Sequence, residues 1–382
     1  RWLDLAARIE SALYEYDLTC LLAKTTGDIA GDPPLRGNPP VADPAGIAYL
    51  HIPWMLFMLR GDARPLTAHY AGMKAWVDAL TQQVQGHLLR PGGEDAPGPL
   101  LATALYYQAV VLIYEFAGIT GRAGDKAFYA GLFDQIAEAF NRQFWDDATG
   151  SYGPGDPAGN ALALWLGLAP ADRQPRAEAA LLRDLRASPA ERPVTGGPCD
   201  QALLEALTAA GRADVAYSLV QKRSGSIASD PSGLSAAEAW IIKAVGGISA
   251  DTDPDYPAFT RFSVRPHPLG DLTWAELALQ TVRGPVETAW RRDPAGAFHL
   301  SANIPPGSLA LIDLPRPETG DVTLSEAGAV FWQPGRSLPL PDGIQSVQDG
   351  GTKSPAGTLR PAGTLRVVAG SGQYSFTVTP SG

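Results

Sequence analysis

The sequence predicts a mostly helical (α/α)6-type toroid followed by an antiparallel β-sandwich. Two observations carry that prediction. Before Thr252, apolar residues recur every three or four positions, hairpin after hairpin; beyond it they alternate, with Pro and Gly between short runs. A period of 3.6 buries one stripe of a helix and a period of two buries one face of a strand. The expected domains are therefore a helical barrel over 1–250 and a sandwich over 251–382. A chain of 382 residues is long enough for two cores.

Segment 66–85 shows the helical pattern best. Leu66, Tyr70, Met73, Trp76, Val77, Leu80 and Val84 fall on one stripe, and Pro65 stands at the start, where a missing N–H costs little. Segment 124–144 repeats this with Phe128, Leu132, Ile136, Phe140 and Phe144, until 146–150 breaks it. Between them, Leu100 to Gly118 is apolar on most faces, as for an inner helix buried on two sides. The more polar 66–85 and 124–144 then lie outside it. Further helices are expected at 2–24, 45–60, 158–168, 172–187, 200–221 (broken at Gly211) and 233–246. Short connections make neighbours antiparallel, and the lack of a fixed repeat length favours a closed barrel over a solenoid.

In the second region Phe298, Leu300, Ala302 and Ile304 alternate, as do Ala310, Ile312 and Leu314, and Tyr374, Phe376 and Val378. Ala-Gly-Ser-Gly at 369–372 reads as a hairpin turn after Leu365 and Val367, and 334–363, rich in Pro and Gly, reads as loop.

Forty acidic against thirty basic side chains give a net charge of −10, with no run of Lys or Arg. That excludes a nucleic-acid face. No stretch reads as a membrane span. No Gly-rich phosphate loop, Gly-x-Ser-x-Gly elbow or Cys-x-x-Cys pair is present, so nucleotide, acyl-transfer and redox chemistry have no support. Cys20 and Cys199 read as two small buried hydrophobes. None of the five histidines pairs at i, i+4 with another ligand type, and Asp251-x-Asp253-x-Asp255 lacks the Gly and Glu of a calcium loop. No metal and no cofactor is expected. The chain opens at Arg1 without Met or a signal-peptide pattern and reads like the interior of a longer polypeptide.

Several stretches, in order, resemble the bacterial α-L-rhamnosidases, the six-hairpin glycosidases. They are Pro53-Trp54, then RGDARPLTAHYAGMKAWVDAL from Arg60, AFNRQFWDDATGSYG from Ala139, NALALWLGLAP from Asn160, TGGPCDQALLEALTAAGRADVAYSLV from Thr195, AVGGISADTDPDYPAFTRFSVRPHP from Ala244 and SANIPPGSLALIDLP from Ser301. The resemblance implies hydrolysis of terminal α-L-rhamnosyl linkages with inversion. One carboxyl protonates the leaving oxygen while another activates a water on the opposite face, the two ~6.5–9.5 Å apart. It implies a carbohydrate partner and leaves the oligomeric state open.

The chain departs from the family pattern at loop ends. The family's Asp-Cys-Pro-Gln-Arg-like acid stretch would lie upstream of Arg1, and its Thr-Thr-x-Trp-Glu base stretch has no counterpart between Ser226 and Gly233. PGGEDAPGP at 91–99 replaces a Gly-Asp-Trp loop, Pro157 stands where the family has Gln, and Pro198-Cys199-Asp200 replaces a Gly-Thr step. The alternative reading is therefore a catalytically inactive relative that binds glycan or serves as a structural or assembly subunit.

The catalytic candidates are Glu238, nearest the missing base stretch, and the pair Glu94 and Asp95. Glu238 also reads as a helix-surface carboxylate, and Glu94-Asp95 as a solvated loop. For substrate binding the candidates are His51 and Trp54 on an inner helix, Tyr152 and Asp156 after the 124–144 helix, and Asp200. Each has a plainer reading: a core histidine or aromatic, a turn former, or (for Asp200) the cap of the helix that begins QALLEAL. Trp145, Trp165 and Trp240 are further aromatics that could face a sugar or fill the core.

Overall fold

The computed structural model describes residues 2–31, 44–90, 98–153, 157–187, 198–224, 231–316, 321–336, 338–349 and 363–380. The chain divides into two compact units, one of Arg1–Phe57, Asp62–Ala210 and Leu219–Ala237, the other of Met58–Gly61, Gly211–Ser218 and Glu238–Gly382.

The helices are α1 Trp2–Glu15, α2 Thr19–Ala30, α3 Pro44–Arg60, α4 Arg64–Gln83, α5 Pro99–Ile119, α6 Ala123–Phe144, α7 Pro157–Trp165, α8 Gln174–Ala187, α9 Pro198–Ala209, α10 Ala213–Ser224 and α11 Pro231–Ala244. A two-stranded ribbon, β1 Trp145–Asp146 and β2 Ser151–Tyr152, follows α6. Its turn closes through the Gly150 N–H on the Asp146 carbonyl at 2.8 Å, with Gly150 at φ +67°.

The expected stripe of α4 is the buried one: Leu66, Tyr70, Met73, Trp76, Val77 and Leu80. Asp62 starts this helix by accepting the Arg64 backbone N–H at 3.0 Å and the Arg64 guanidinium at 2.8 Å, which holds its carboxyl below the usual range. α5 buries residues on most faces, Tyr106, Val110, Ile113 and Phe116 among them. Among the described residues it is the one helix long and apolar enough to cross a membrane, contrary to the sequence reading, yet 56% of its most apolar window is buried by the rest of the protein. Packing on several sides gives a core helix the same composition as a span.

Two helical expectations are corrected. The segment 2–24 is two helices, because Asp17 accepts the Thr19 N–H at 3.2 Å and the Thr19 hydroxyl at 2.7 Å and so restarts the chain. In the second turn of α6 the buried aromatic is Tyr129, whose hydroxyl donates to Asp78 at 2.6 Å, whereas Phe128 is 57% exposed. Cys199 is buried as expected but Cys20 is exposed.

The second unit holds two sheets. Their strands are β3 Ile248–Ala250, β4 Arg261–Val264, β5 Trp274–Thr281, β6 Gly284–Arg292, β7 Phe298–Ile304, β8 Leu309–Pro315, β9 Val322–Glu326, β10 Ala329–Trp332, β11 Ile344–Asp349, β12 Thr364–Ala369 and β13 Gly372–Pro380. One sheet runs β10-β9-β13-β7-β6-β5, the other β11-β12-β8-β4-β3. All neighbours are antiparallel except β4 and β8. The alternating residues are the inward ones: Phe298, Leu300, Ala302 and Ile304 on β7, Ala310, Ile312 and Leu314 on β8, Tyr374, Phe376 and Val378 on β13. Side-chain alternation thus fills the space between the sheets.

The turn at 369–372 does not make a hairpin. β12 pairs with β11 and β8, while β13 pairs with β7 and β9, so the corner carries the chain from one sheet to the other. Inward residues on both strands are satisfied by either pairing, and the local pattern cannot tell them apart. Within 334–363, Ile344–Asp349 forms an edge strand that buries little but Ile344, which is why its composition reads as loop. Asp251 and Asp253 are taken up by Arg261, whose guanidinium also lies 3.5 Å from the Tyr256 ring centre.

Candidate active site

Alternate helices of the first unit close a ring. α5 packs on α7, α7 on α9, and α9 on α1. α3 joins α5 through the Trp54 and Phe116 rings, 6.3 Å apart, and brings the His51 imidazole into the field of the Glu10 carboxylate of α1. α4, α6 and α8 pack on this ring from their short connections.

A polar cluster sits where α1 meets both neighbours. The Tyr14 hydroxyl donates to Glu10 Oε1 at 3.0 Å, and the Gln201 amide of α9 donates to Glu10 Oε2 at 3.3 Å. His51 is hydrogen-bonded to Gln108 of α5 and lies in the field of Glu10. Glu10 thus bonds to α9 and acts on His51 of α3 through its field. Glu10 and Tyr14 are spaced i, i+4, as are Gln201 and Glu205, so each pair shares one helix face. Burial, then the Glu10 carboxylate, push the Tyr14 hydroxyl well above its ordinary range, and Glu205 adds to the rise. Burial lowers His51, against the opposing pull of Gln108 and Glu10. The imidazole is therefore neutral near pH 7 and can donate and accept at once. The centre thus offers two carboxylates about one hydroxyl, with an imidazole and two amides beside them, which is the equipment for gripping hydroxyl groups.

The sequence candidates fall in different places. His51 and Trp54 are brought together, three residues apart on α3 and both half-buried. Tyr152 is fully enclosed: its hydroxyl donates to the Asn141 side chain, its N–H donates to Asn160 Oδ1 at 2.9 Å, and it packs with Phe140 and Ala163. Its position in the core leaves no face for a sugar. Asp200 is the third residue of α9 and buried, so it lies inside the helix and does not cap it; a carboxylate in that first turn suits the helix dipole. Glu238 is half-buried on α11 between buried Ala237 and Ala239 and belongs to the second unit. Glu94, Asp95 and Asp156 lie outside the described residues. Trp240 is core, Trp165 is half-buried, and the guanidiniums of Arg173 and Arg176 lie over the Trp145 ring at 5.0 and 5.2 Å. Among the described residues no group of three or more His, Cys, Asp or Glu could hold a metal ion.

Sequence reasoning missed Glu10, Tyr14, Gln108, Gln201 and Glu205. The available signal was polar side chains at i, i+4 on the apolar stripes of α1 and α9.

A closed ring of paired helices with a polar centre, followed by a two-sheet domain, defines the architecture of a six-hairpin glycosidase. The family model for the bacterial alpha-L-rhamnosidase 6 hairpin glycosidase domain matches residues 2–226, and that for the bacterial alpha-L-rhamnosidase C-terminal domain matches 247–329. The chain belongs to the bacterial α-L-rhamnosidase family. It is 27% identical over 307 residues to an alpha-L-rhamnosidase of Streptomyces avermitilis, covering 71% of this chain and 29% of that protein. It is 23% identical over 310 residues to one from Alteromonas sp., covering 68% and 33%. The chain thus spans about a third of the length of the curated relatives it matches. The solved alpha-L-rhamnosidase of Dictyoglumus thermophilum superposes with a TM-score of 0.80 at 21% identity, over 99% of this chain and 45% of that one. The Streptomyces avermitilis enzyme, solved with L-rhamnose, gives 0.76 at 22%, over 99% and 38%. At these identities the superpositions speak for the fold alone.

Proposed function

We propose that this chain is the barrel and C-terminal sandwich of an α-L-rhamnosidase-like glycoside hydrolase that cleaves terminal L-rhamnosyl residues with inversion. The barrel is assigned to 1–250 and the sandwich to 251–382, following the change of periodicity. The observation that supports this reading most is the Glu10 carboxylate, held by Tyr14 and Gln201 where α1 meets α9, with Glu205 acting on the Tyr14 hydroxyl through its charge. Inverting hydrolysis needs one carboxyl to protonate the departing oxygen and a second to deprotonate the attacking water. Glu10 and Glu205 are the pair proposed for those two tasks, with His51 and Gln108 holding sugar hydroxyls and Trp54 lending an apolar wall. Glu238, Glu94, Asp95, Asp156 and Asp200 are the remaining carboxylates proposed from the sequence.

The test is turnover of p-nitrophenyl α-L-rhamnopyranoside, with the anomer of released rhamnose read by NMR. β-L-rhamnose should appear first. Glu10→Gln should lower kcat by about 10²–10⁴, the usual weight of a general acid or base, while the melting temperature stays within a few degrees. Glu238→Gln in the same assay decides that residue separately. Binding of L-rhamnose without turnover would replace the hydrolase by a glycan-binding protein, and neither binding nor turnover would overturn the carbohydrate reading of the ring.

A further inference from the structure

We propose that the outward face of the six-stranded sheet is a second carbohydrate site, one that holds a neutral oligosaccharide chain away from the reacting bond. That face carries an open trough of about 760 Å³. The volume lies within the ~300–1,000 Å³ of ordinary small-molecule sites. Strand register explains the hollow. Ala289 on β6 stands opposite Ser301 on β7, which stands opposite Ser375 on β13. Three small residues side by side leave a floor from which no long side chain rises.

The walls are polar, and Arg291, opposite Trp274 in the row beyond the floor, carries a positive charge on the same face. Glu276 continues the floor row on β5, and Glu287 stands in the next row opposite Asn303, whose amide donates to its carboxylate at 3.3 Å. No Lys or Arg lines the trough. Carboxylates accept hydroxyl protons and amides both donate and accept, so the lining suits a polyol. It repels phosphate, sulfate and uronate groups, which need cations. A divalent cation is disfavoured as well, because among the described residues no three such ligands converge.

Trp274 supplies the second half of the argument. It is 62% exposed, the most exposed of the large apolar side chains described. It lies on the same side of β5 as Glu276, two residues and so ~7 Å along the strand. An indole left in water beside a polar trough costs free energy that nothing within the strand recovers. A pyranose ring covers it naturally, since its C–H face is apolar while its rim of hydroxyls reaches the acceptors.

The proposal rests on the carbohydrate reading above only for the choice of probe. The test is affinity electrophoresis of the whole chain through gels containing a neutral rhamnan, with polygalacturonate gels and a fluorescent oligolysine as comparisons. The rhamnan should retard the wild-type chain. Ser301→Trp, which fills the trough, and Trp274→Ala should each weaken retardation by about tenfold or more, a loss of ~1.4 kcal/mol. Turnover of p-nitrophenyl α-L-rhamnopyranoside, which engages only the ring, should be the same for Trp274→Ala and the wild-type chain, so failure of the ring and failure of the trough are read separately. If Ser301→Trp does not fold, the exposed Trp274→Ala variant decides alone. Absence of retardation, retardation untouched by Trp274→Ala, or binding of polygalacturonate or oligolysine in place of the rhamnan would each overturn the proposal.

Discussion

Replacing Asp313 by Asn should destabilise the second unit by about 3 kcal/mol, at the lower edge of the ~3–5 kcal/mol seen when one partner of a buried ion pair is removed. Asp313 stands on β8 at 1% exposure, directly across from Arg366 of β12. The Arg366 Nε and Nη2 atoms each lie 2.6 Å from one of its oxygens, a fork-to-carboxylate match, and Arg265 Nε adds a third contact at 2.9 Å. Asparagine keeps the volume but offers one acceptor oxygen and no charge. The Arg366 side chain, 12% exposed, would then stay half-dehydrated beside a neutral amide. Arg265 is 30% exposed and recovers part of its loss from water, which sets the expectation at the lower edge. Urea unfolding of the whole chain, followed by far-UV circular dichroism, measures the change. A double variant, Asp313→Leu with Arg366→Met, removes both charges together and should recover most of the loss. A single-variant cost under about 1 kcal/mol, or a double variant as damaged as the single, would refute the idea that the pair's mutual dependence carries this energy.

Two other outcomes follow from the same geometry. His267, lowered to about 4 by burial and then by the Arg265 charge, stays neutral in the fold at pH values where the unfolded chain takes up a proton. Stability is therefore full above pH 6.5 and falls as the pH drops from there toward 4, by about 3 kcal/mol in total at 1.36 kcal/mol per unit. His267→Gln should flatten that part of the unfolding-midpoint profile, and an unchanged slope would assign the loss to other groups. Gly159→Ala should lower the melting temperature by the equivalent of about 1–3 kcal/mol, because the added Cβ would lie 2.4 Å from the Tyr152 carbonyl oxygen. Gly131→Ala on α6, where nothing lies within 4 Å, should instead stabilise by about 0.5–1 kcal/mol.

Much of the scaffold was legible because burial writes its own period into the chain. The stripe from Leu66 to Leu80 and the alternation from Phe298 to Ile304 are each a one-dimensional record of one buried face. Errors arose where neighbouring positions offered equal chemistry. Phe128 and Tyr129 could both serve as the apolar member of their turn, and it is the Asp78 carboxylate, fifty-one residues away, that draws Tyr129 inward.

The site was far less legible. Glu10, His51, Gln108 and Gln201 lie on four different helices, and none forms a local motif with another. Their meeting depends on ring closure, since only the contact of α9 with α1 brings Gln201 to Glu10 across 191 positions of sequence. The sequence by itself determined which segments are helices, which are strands and which face of most of them is buried, because those follow from hydrophobic periods within a single element. Tertiary structure alone decided which polar groups share the ring's interior and which sheet receives β13, because both depend on pairings between elements whose local patterns are compatible with more than one partner.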